Sequence, residues 1–437
     1  MQETLSHYFG YDTFRPGQEE IISKIIDHRN VLGVLPTGGG KSICYQVPGL
    51  MLGGTTIVIS PLISLMKDQV DQLKAMGINA AFINSSLTQK QQKEIEQDLI
   101  SGHIQFLYVA PERFENQYFL SQLRKVNIRL VAFDEAHCIS KWGHDFRPSY
   151  QNVIQKVFTL PQDFAIVALT ATATAEVQQD IMDKLNIEAN DEVKTSTKRR
   201  NLIFKVNPTY QRQKFVVDYV TEHDEEAGII YCSTRKQVEE LQEVLESHKV
   251  KCTIYHAGLT NKEREAAQND FLYDRVNVVI ATNAFGMGID KSNVRFVIHY
   301  NMPGDLESYY QEAGRAGRDG LKSECILLFS ERDRGLHEYF ISVSQADDDY
   351  KEKMGEKLTK MLQYTKTKKC LEATIVHYFE PNEKLEECKQ CSNCIQENKT
   401  YDMTREAKMI ISCVARMRQQ ESYSVIIQVL RGETTDY

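Results

Sequence analysis

A glycine-rich stretch near the start of the chain has the residue types that a phosphate-binding loop needs. Residues 35–42 read LPTGGGKS and follow an apolar run at residues 30–35. In such a turn, backbone N–H groups and the positive end of the following helix point at phosphate oxygens. The lysine can reach the β- and γ-phosphates, and the serine hydroxyl can ligate Mg²⁺. We predict that the nucleotide is bound by Thr37, Gly38, Gly39, Gly40, Lys41 and Ser42.

The loop alone is an incomplete match, because Leu35 stands where the usual eight-residue pattern begins with glycine. A pair of neighbouring carboxylates strengthens the prediction. Residues 134–137 read DEAH and end an apolar strand-like run. The carboxyl ends of parallel strands lie at one edge of a sheet, so these residues should lie beside the loop. Asp134 can hold Mg²⁺, and Glu135 can orient or deprotonate the attacking water. The catalytic residues predicted in this part of the chain are Lys41, Asp134, Glu135 and His137.

Two arginines much later in the chain can supply positive charge to the same chemistry. Arg315 and Arg318 come at the end of a helical stretch that begins near residue 305. Their spacing of three predicts that they share one helix face. In that position they can stabilise γ-phosphate charge in the transition state, as arginine fingers do. The alternative is an ordinary basic helix end.

The hydrophobic pattern predicts two α/β domains that position these residues. Short apolar runs alternate with amphipathic segments, as in βαβ units that form a parallel sheet. The runs of the first domain are 30–35, 55–60, 105–110, 130–134 and 165–170. The pattern restarts near residue 204, and its runs are 227–232, 252–255, 276–281, 294–300 and 325–329. Residues 195–201 are a predicted linker, and helical patterns dominate after residue 331.

Four of the ten cysteines cluster near the C-terminus with metal-ligand spacing. Four thiolates suit a closed, tetrahedral zinc site, and we expect one on a helix and three in a tight turn. The alternative is an iron–sulfur cluster. The predicted zinc ligands are Cys370, Cys388, Cys391 and Cys394. The remaining six are predicted to be small buried hydrophobic residues: Cys44, Cys138, Cys232, Cys252, Cys325 and Cys413.

Together with residues 169–172, 231–235 and 281–290, these motifs resemble those of superfamily 2 helicases, in which two RecA-like domains close on ATP. Residues 9–18 and the aromatic-rich loop 140–148 (SKWGHDFRP) resemble the RecQ family more specifically. The resemblance implies that the adenine and its nucleotide are contacted by Arg15, Gln18 and Gln311. It also implies that a DNA strand stacks on the aromatic loop, through Trp142, His144, Phe146 and Arg147.

The resemblance implies four regions along the chain. We expect RecA-like motor domains at 1–200 and 201–335, a helical zinc-binding subdomain at 336–400 and an incomplete winged helix at 401–437. It further implies 3′→5′ unwinding of tailed or forked DNA in repair and recombination, with ATP, Mg²⁺ and Zn²⁺ as cofactors. A single-strand-binding protein is a candidate partner of a monomeric enzyme. The alternatives are an ATPase that translocates without separating strands and a zinc-dependent nucleic-acid clamp with a degenerate motor.

Composition sets broader limits on these predictions. The 437 residues are 42% hydrophobic and 26% charged, which is typical of globular proteins with ample cores. There is no run of the roughly 20 apolar residues that a membrane span needs, and no signal-peptide pattern, so we expect a cytoplasmic, nucleoid-associated protein. The net charge of −8 does not indicate nucleic-acid binding. A motor, however, can bind DNA through a local groove while other surfaces are acidic.

Overall fold

The computed structural model describes residues 1–84, 87–143, 145–161, 163–285, 291–384, 386–395, 404–417 and 422–432. The chain divides into two compact units, Met1–Cys394 and Ile395–Tyr437. The first unit contains two parallel sheets, and the second contains two helices in its described part.

The first sheet has seven parallel strands in the order β3-β4-β2-β5-β6-β1-β7. Their bounds are β1 Val31–Val34, β2 Thr55–Ile59, β3 Ala80–Ile83, β4 Phe106–Val109, β5 Ile128–Phe133, β6 Ala165–Thr170 and β7 Glu192–Lys194. The five runs predicted in this region are therefore confirmed as strands. The pattern missed the two edge strands, β3 and β7, because β3 is only partly buried and β7 is short and largely charged.

Helices cover both faces of this sheet. The longer ones are α2 Gln18–Ile26, α3 Ile43–Leu52, α4 Ile63–Ala75, α5 Gln89–Ile100, α6 Gln117–Leu123, α7 Pro148–Val157 and α8 Ala175–Leu185, after the short α1 Gln2–Thr4. A π-helical turn spans Leu5–Phe9, and 3₁₀ turns span Pro111–Glu115, Ala136–Ile139 and Ala189–Asp191. Alternate residues of a strand face opposite sides, so Leu32 and Val34 enter one core and Val31 the other.

The second sheet has six parallel strands in the order β10-β11-β9-β12-β13-β8. The strands are β8 Leu202–Pro208, β9 Ala227–Tyr231, β10 Cys252–Tyr255, β11 Val278–Ala281, β12 Val294–His299 and β13 Ser323–Phe329. The helices of this domain are α9 Arg212–Glu222, α10 Arg235–Ser247, α11 Asn261–Leu272 and α12 Leu306–Ala313. The predicted linker, residues 195–201, joins β7 to β8. Residues 286–290, from one of the predicted helicase motifs, lie outside the described residues.

Four helices follow the second sheet: α13 Glu331–Val343, α14 Asp348–Lys366, α15 Leu371–Phe379 and α16 Ser392–Ile395. They share a core with that sheet, because Leu358, Met361 and Tyr364 of α14 and Phe379 of α15 pack in the same buried cluster as β8 and β13. The helical region is therefore an extension of the second domain's core.

The second unit contains α17 Thr404–Arg416 and α18 Tyr423–Arg431, which contact each other. Both helices present apolar side chains to solvent, including Ile411 and Ile427. These are the described parts of the region in which we expect an incomplete winged helix. Nowhere in the described residues is there a helix with the length and apolar character needed to span a membrane.

Candidate functional site

The predicted phosphate loop lies between the end of β1 and the first turn of α3, as expected from its sequence. Gly38 and Gly40 have φ angles of 75° and 72°, which favour glycine because it lacks a Cβ. A Cβ at position 40 would also lie only 2.5 Å from Nε2 of Gln18. Glycine is therefore required at this position both for backbone conformation and for the close approach of a side chain.

Gln18 and Arg15 hold the phosphate loop from the side of α2. The Gln18 amide donates hydrogen bonds to the carbonyls of Gly39 and Gly40 at 3.1 and 3.0 Å. Its Oε1 accepts from the backbone N–H of Arg15 at 2.8 Å, and the Arg15 guanidinium donates to the Gly38 carbonyl. In this structure the Gln18 amide is thus bonded to the predicted phosphate loop.

The predicted acidic box, residues 134–137, begins where β5 ends. Burial, followed by the neighbouring Glu135 carboxylate, raises the pKa of Asp134 well above its ordinary value, while Lys41 lowers it. The Ser60 hydroxyl, at the end of the adjacent β2, bonds the Asp134 side chain. These contacts bring the carboxylate of the box close to the lysine of the phosphate loop.

His137 connects the acidic box to the neighbouring strand β6. Its Nδ1 lies 3.1 Å from Oγ1 of Thr170, at the end of that strand, and 3.4 Å from Oε2 of Glu135. The His137 side chain is fully buried. Glu135 itself has a φ of 48°, a left-handed conformation that is uncommon for a non-glycine residue. His137 therefore lies between the Glu135 carboxylate and the motif at residues 169–172.

The structure corrects the predicted position of the two arginines. Helix α12 ends at Ala313, so Arg315 and Arg318 lie in the turn beyond it and do not share a helix face. Gly317, between the two arginines, has a left-handed φ of 57°, so the backbone that joins them is not helical. The Arg315 side chain bonds the buried hydroxyl of Tyr231, at the end of β9.

The two domains together line a cavity of about 460 Å³ that collects most of the predicted nucleotide and catalytic residues. The predicted residues in its lining are Arg15, Gln18, Thr37, Gly38, Gly40, Lys41, Ser42, Asp134, Glu135, Gln311, Arg315 and Arg318. Gly39 and His137 are not in this lining, although Gly39 accepts a hydrogen bond from Gln18 and His137 lies 3.4 Å from Glu135, which both line it. Residues separated by almost the whole length of the motor thus meet at one site.

Arg199, in the linker, contacts both sides of this cavity and was not predicted as a site residue. Its guanidinium donates to the carbonyls of Gly314 and Gly317, each at 2.7 Å, and to that of Ala316 at 3.0 Å. The same group lies 3.4 Å from the carbonyl oxygen of Thr37 in the phosphate loop. The only sequence signal was the basic run at residues 198–200.

The aromatic loop lies away from the nucleotide cavity, on the core of the first domain. Trp142 is partly buried against that core, with the ammonium groups of Lys141 and Lys353 at 5.3 and 5.8 Å from its ring centre. Arg147 donates to the Asp145 carboxylate at 3.1 Å. Phe146 is half-buried, and the predicted DNA contact His144 lies outside the described residues.

The four clustered cysteines form a compact metal-ligand set in which all four sulfurs lie within 4.8 Å of one another. The Cys388–Cys394 and Cys370–Cys391 sulfur pairs are each 4.0 Å apart. Tetrahedral zinc with bonds of 2.3 Å separates its sulfurs by about 3.8 Å, so the set fits this ion. Cys370 is the N-cap of α15 and Cys394 lies in α16, whereas we expected one ligand inside a helix and three in a turn.

Four family models match successive parts of the chain: a DEAD/DEAH box helicase over 15–181, a helicase conserved C-terminal domain over 211–320, a RecQ zinc-binding region over 331–395 and an RQC domain over 397–437. The ATP-dependent DNA helicase RecQ of Bacillus subtilis (strain 168) is 48% identical over 99% of this chain and 73% of its own length. The chain belongs to the RecQ family. RecQ from Haemophilus influenzae is 41% identical, over 98% of this chain and 69% of that protein.

Family membership identifies this RecQ chain as an ATP-dependent DNA helicase with a zinc-binding region, which confirms the predicted enzyme class and the choice of zinc over an iron–sulfur cluster. Among solved structures, Saccharomyces cerevisiae Dbp5 bound to RNA and ADP BeF3 matches with a TM-score of 0.63 and 20% identity, over 83% of this chain and 97% of that one. The helicase MrfA bound to DNA matches with a TM-score of 0.64 and 17% identity, over 84% and 54%. At such identities these likenesses show the fold, two RecA-like domains.

Proposed function

We propose that this RecQ chain uses Mg²⁺ and ATP to translocate along single-stranded DNA and to unwind tailed or forked duplex in the 3′→5′ direction. The observation that carries this proposal is the shared cavity. It is lined by the phosphate loop and acidic box of the first domain and by the turn of the second domain that carries Arg315 and Arg318, here called the arginine turn. ATP hydrolysis there can therefore be linked to movement of one domain against the other. The polarity rests on the resemblance to RecQ helicases.

Each catalytic residue has a role that follows from its place in the cavity. Lys41 stabilises the β- and γ-phosphates, and Glu135, oriented by His137, positions the attacking water. Arg315 and Arg318 stabilise charge on the γ-phosphate as the bond breaks. These groups come from both domains, so turnover requires the two domains to be correctly placed.

The Ser42 hydroxyl and the Asp134 carboxylate are the residues that would hold Mg²⁺, whose preferred ligands are oxygens. The chemistry of this part of the site fits a cation, because the buried Asp134 lies next to a second carboxylate and the pKa of Asp134 is raised despite the nearby Lys41. When bound, Mg²⁺ neutralises phosphate charge. The hydrogen bond from Ser60 also stabilises the ionised form of the Asp134 carboxyl and lowers its pKa.

Arg15, Gln18 and Gln311 are proposed to contact the nucleotide at the adenine side of the same cavity. An amide can read a base edge because it has both a donor and an acceptor. In this structure the Gln18 amide is bonded to Gly39 and Gly40, so reading adenine requires it to exchange those bonds. Nucleotide recognition by Gln18 would thereby release the phosphate loop.

The aromatic loop is proposed to contact the translocating strand, through Trp142, His144, Phe146 and Arg147. An aromatic ring stacks on any base, which suits a motor that must accept every sequence. We further propose that the enzyme acts as a monomer on nucleoid DNA in repair and recombination, with a single-strand-binding protein as a partner.

A strand-displacement assay tests the proposed function directly. Duplexes with a 3′ or a 5′ single-stranded tail should be compared with ATP and Mg²⁺ present, and with the hydrolysis-deficient Glu135→Gln variant as control. Selective unwinding of the 3′-tailed substrate is expected. DNA-stimulated hydrolysis without displacement would support a translocase that does not separate strands. Absence of DNA-stimulated hydrolysis would favour a zinc-dependent clamp.

A further inference from the structure

Lys357 of α14 is a buried cation where three parts of the molecule meet. Only 4% of the residue is exposed. Its ammonium lies 2.9 Å from the Glu307 carboxylate, in the first turn of α12, and donates a hydrogen bond to the backbone carbonyl of Trp142 at 2.7 Å. A buried lysine needs such partners, because an uncompensated charge in a protein interior is strongly unfavourable. One side chain therefore contacts both the aromatic loop and the helix that precedes the arginine turn.

The two partners of Lys357 belong to different motor domains. Helix α14 is part of the core of the second domain, through Leu358 and Met361. Trp142 packs on the core of the first domain. The bond from Lys357 to Trp142 therefore crosses between the domains, whereas its ion pair with Glu307 lies within the second.

On the first-domain side, the loop is closely joined to the acidic box. A Cβ at Gly143 would lie 2.2 Å from the carbonyl oxygen of His137, so the loop folds directly against the box. The N–H of Arg147 also donates to the carbonyl of Cys138 at 3.1 Å. These contacts join the backbone of the loop to that of His137 and Cys138, next to Glu135.

On the second-domain side, α12 leads from Glu307 directly to the nucleotide cavity. The helix carries Gln311, ends at Ala313 and continues into the turn that contains Arg315. Because a helix is a stiff element, a shift at its first turn moves its other end. Only 2% of Glu307 is exposed, so the carboxylate that faces Lys357 lies in the protein interior.

We infer that Lys357 is a positioning residue that couples occupancy of the aromatic loop by DNA to the placement of the arginine turn at the nucleotide. This inference rests on the proposed function, since it requires that the aromatic loop contacts DNA. When a DNA base displaces Trp142, the Lys357 ammonium either moves with the Trp142 carbonyl or loses its hydrogen bond to it. The ion pair between Lys357 and Glu307 then changes, and α12 shifts with it. Coupling of this kind is reciprocal, so a nucleotide should also alter DNA affinity through the same residue.

The test measures coupling in the 437-residue chain, with a single-stranded oligothymidylate as the DNA probe. Oligothymidylate affinity is measured with and without a non-hydrolysable ATP analogue, and ATP turnover with and without the oligothymidylate. For Lys357→Gln we expect DNA-stimulated turnover to fall about tenfold and the effect of the analogue on DNA affinity to disappear. Unstimulated turnover and the affinity for each ligand alone should stay within about twofold of the parent.

Three further variants separate coupling from folding. Lys357→Arg keeps the positive charge and should recover part of the stimulation. The double variant Lys357→Met with Glu307→Gln removes both charges, so it leaves no buried unpaired ion, and it should fold but remain uncoupled. Lys366→Gln is the matched control, because Lys366 lies on the same helix and pairs with the exposed Glu331 at 2.7 Å. It should behave as the parent, and zinc content and melting temperature verify folding of every variant.

Parent-like coupling in Lys357→Gln would overturn the inference, as would an equal fall in stimulated and unstimulated turnover. Trp142→Ala, measured in parallel, distinguishes this failure from failure of the proposed function. Undiminished stimulation in Trp142→Ala would refute the loop as the DNA contact, and the inference with it. If Trp142→Ala loses stimulation while Lys357→Gln keeps it, only the role of Lys357 is rejected.

Discussion

At the scale of single residues, Lys41 and Glu135 line one cavity but should act on different steps. Lys41→Ala removes positive charge from the phosphates and is expected to weaken ATP binding and turnover together. Glu135→Gln keeps the shape of the side chain, so ATP should bind while hydrolysis falls by about 10² or more. Titration with a fluorescent nucleotide and a phosphate-release assay measure the two effects.

The exposed Glu94, on α5 of the same domain, is a matched control for the loss of one carboxylate. Glu94→Gln should bind and hydrolyse ATP as the parent does. A parental rate of hydrolysis in Glu135→Gln would show that the catalytic role belongs to another residue.

At the scale of elements, the aromatic loop should act on DNA rather than on the nucleotide. Within the first domain it is held by the bond from Arg147 to Asp145 and by the packing of Trp142 on the first core. Trp142→Ala and Arg147→Ala are expected to spare ATP binding and to weaken the DNA-dependent rise in ATPase activity. A stacked base is typically worth about 1–3 kcal/mol. ATPase titrations with single-stranded DNA measure the loss.

Tyr118, an exposed aromatic residue on α6, offers a control for the loss of a surface ring. Tyr118→Ala should be stimulated by DNA to the parental level. The proposed role of the loop is refuted if correctly folded Trp142→Ala and Arg147→Ala variants are stimulated equally well.

The zinc cluster is a second element whose parts depend on one another. Cys388, Cys391 and Cys394 lie close together in sequence, and Cys370 ties them to the start of α15. Cys370→Ser should therefore lower the zinc content from about one per chain to little or none. It should also reduce solubility and DNA binding, while the two sheets remain folded and bind ATP. Elemental analysis of protein purified without chelator measures the metal.

Cys252→Ser is the corresponding control, because Cys252 lies on β10, outside the metal-ligand set. Its zinc content should equal that of the parent. Iron in place of zinc, or full zinc occupancy in Cys370→Ser, would contradict the assignment of these ligands.

At the scale of the whole first unit, the Arg199 guanidinium donates hydrogen bonds both to the arginine turn of the second domain and to the phosphate loop of the first. Its charge also lies at the C-terminal end of α12, where cations are favoured. Arg199→Ala removes charge-assisted hydrogen bonds to several carbonyls. Each such bond contributes roughly 1.5–3 kcal/mol, so ATP turnover is expected to fall about tenfold or more.

Arg200 is the matched control for Arg199, because its side chain is exposed at the next position of the linker. Arg200→Ala should leave ATP turnover within about twofold of the parent and thermal stability unchanged. Steady-state ATPase assays and thermal unfolding of both variants are the measurements. Equal turnover in Arg199→Ala and the parent would show that the domains are aligned by other contacts.

The sequence by itself determined the features that arise from neighbouring residues. Helices α10 and α11 begin where they do because the side chains of Thr234 and Thr260 cap their first turns. The buried central strands were also predictable, since each is a continuous apolar run. The phosphate loop and the cysteine set could be recognised for the same reason. In both, the residue types and their spacing along the chain are enough to indicate the ligand.

Only the tertiary structure decided how distant segments meet. The amide of Gln18 is bonded to the phosphate loop, Arg199 joins the loop to the arginine turn, and Lys357 contacts two domains. No local pattern marks such partners, because they lie far apart in the chain. The turn that carries Arg315 and Arg318 was likewise decided by the tertiary structure, since α12 ends at Ala313 and Gly317, between the two arginines, has a left-handed φ.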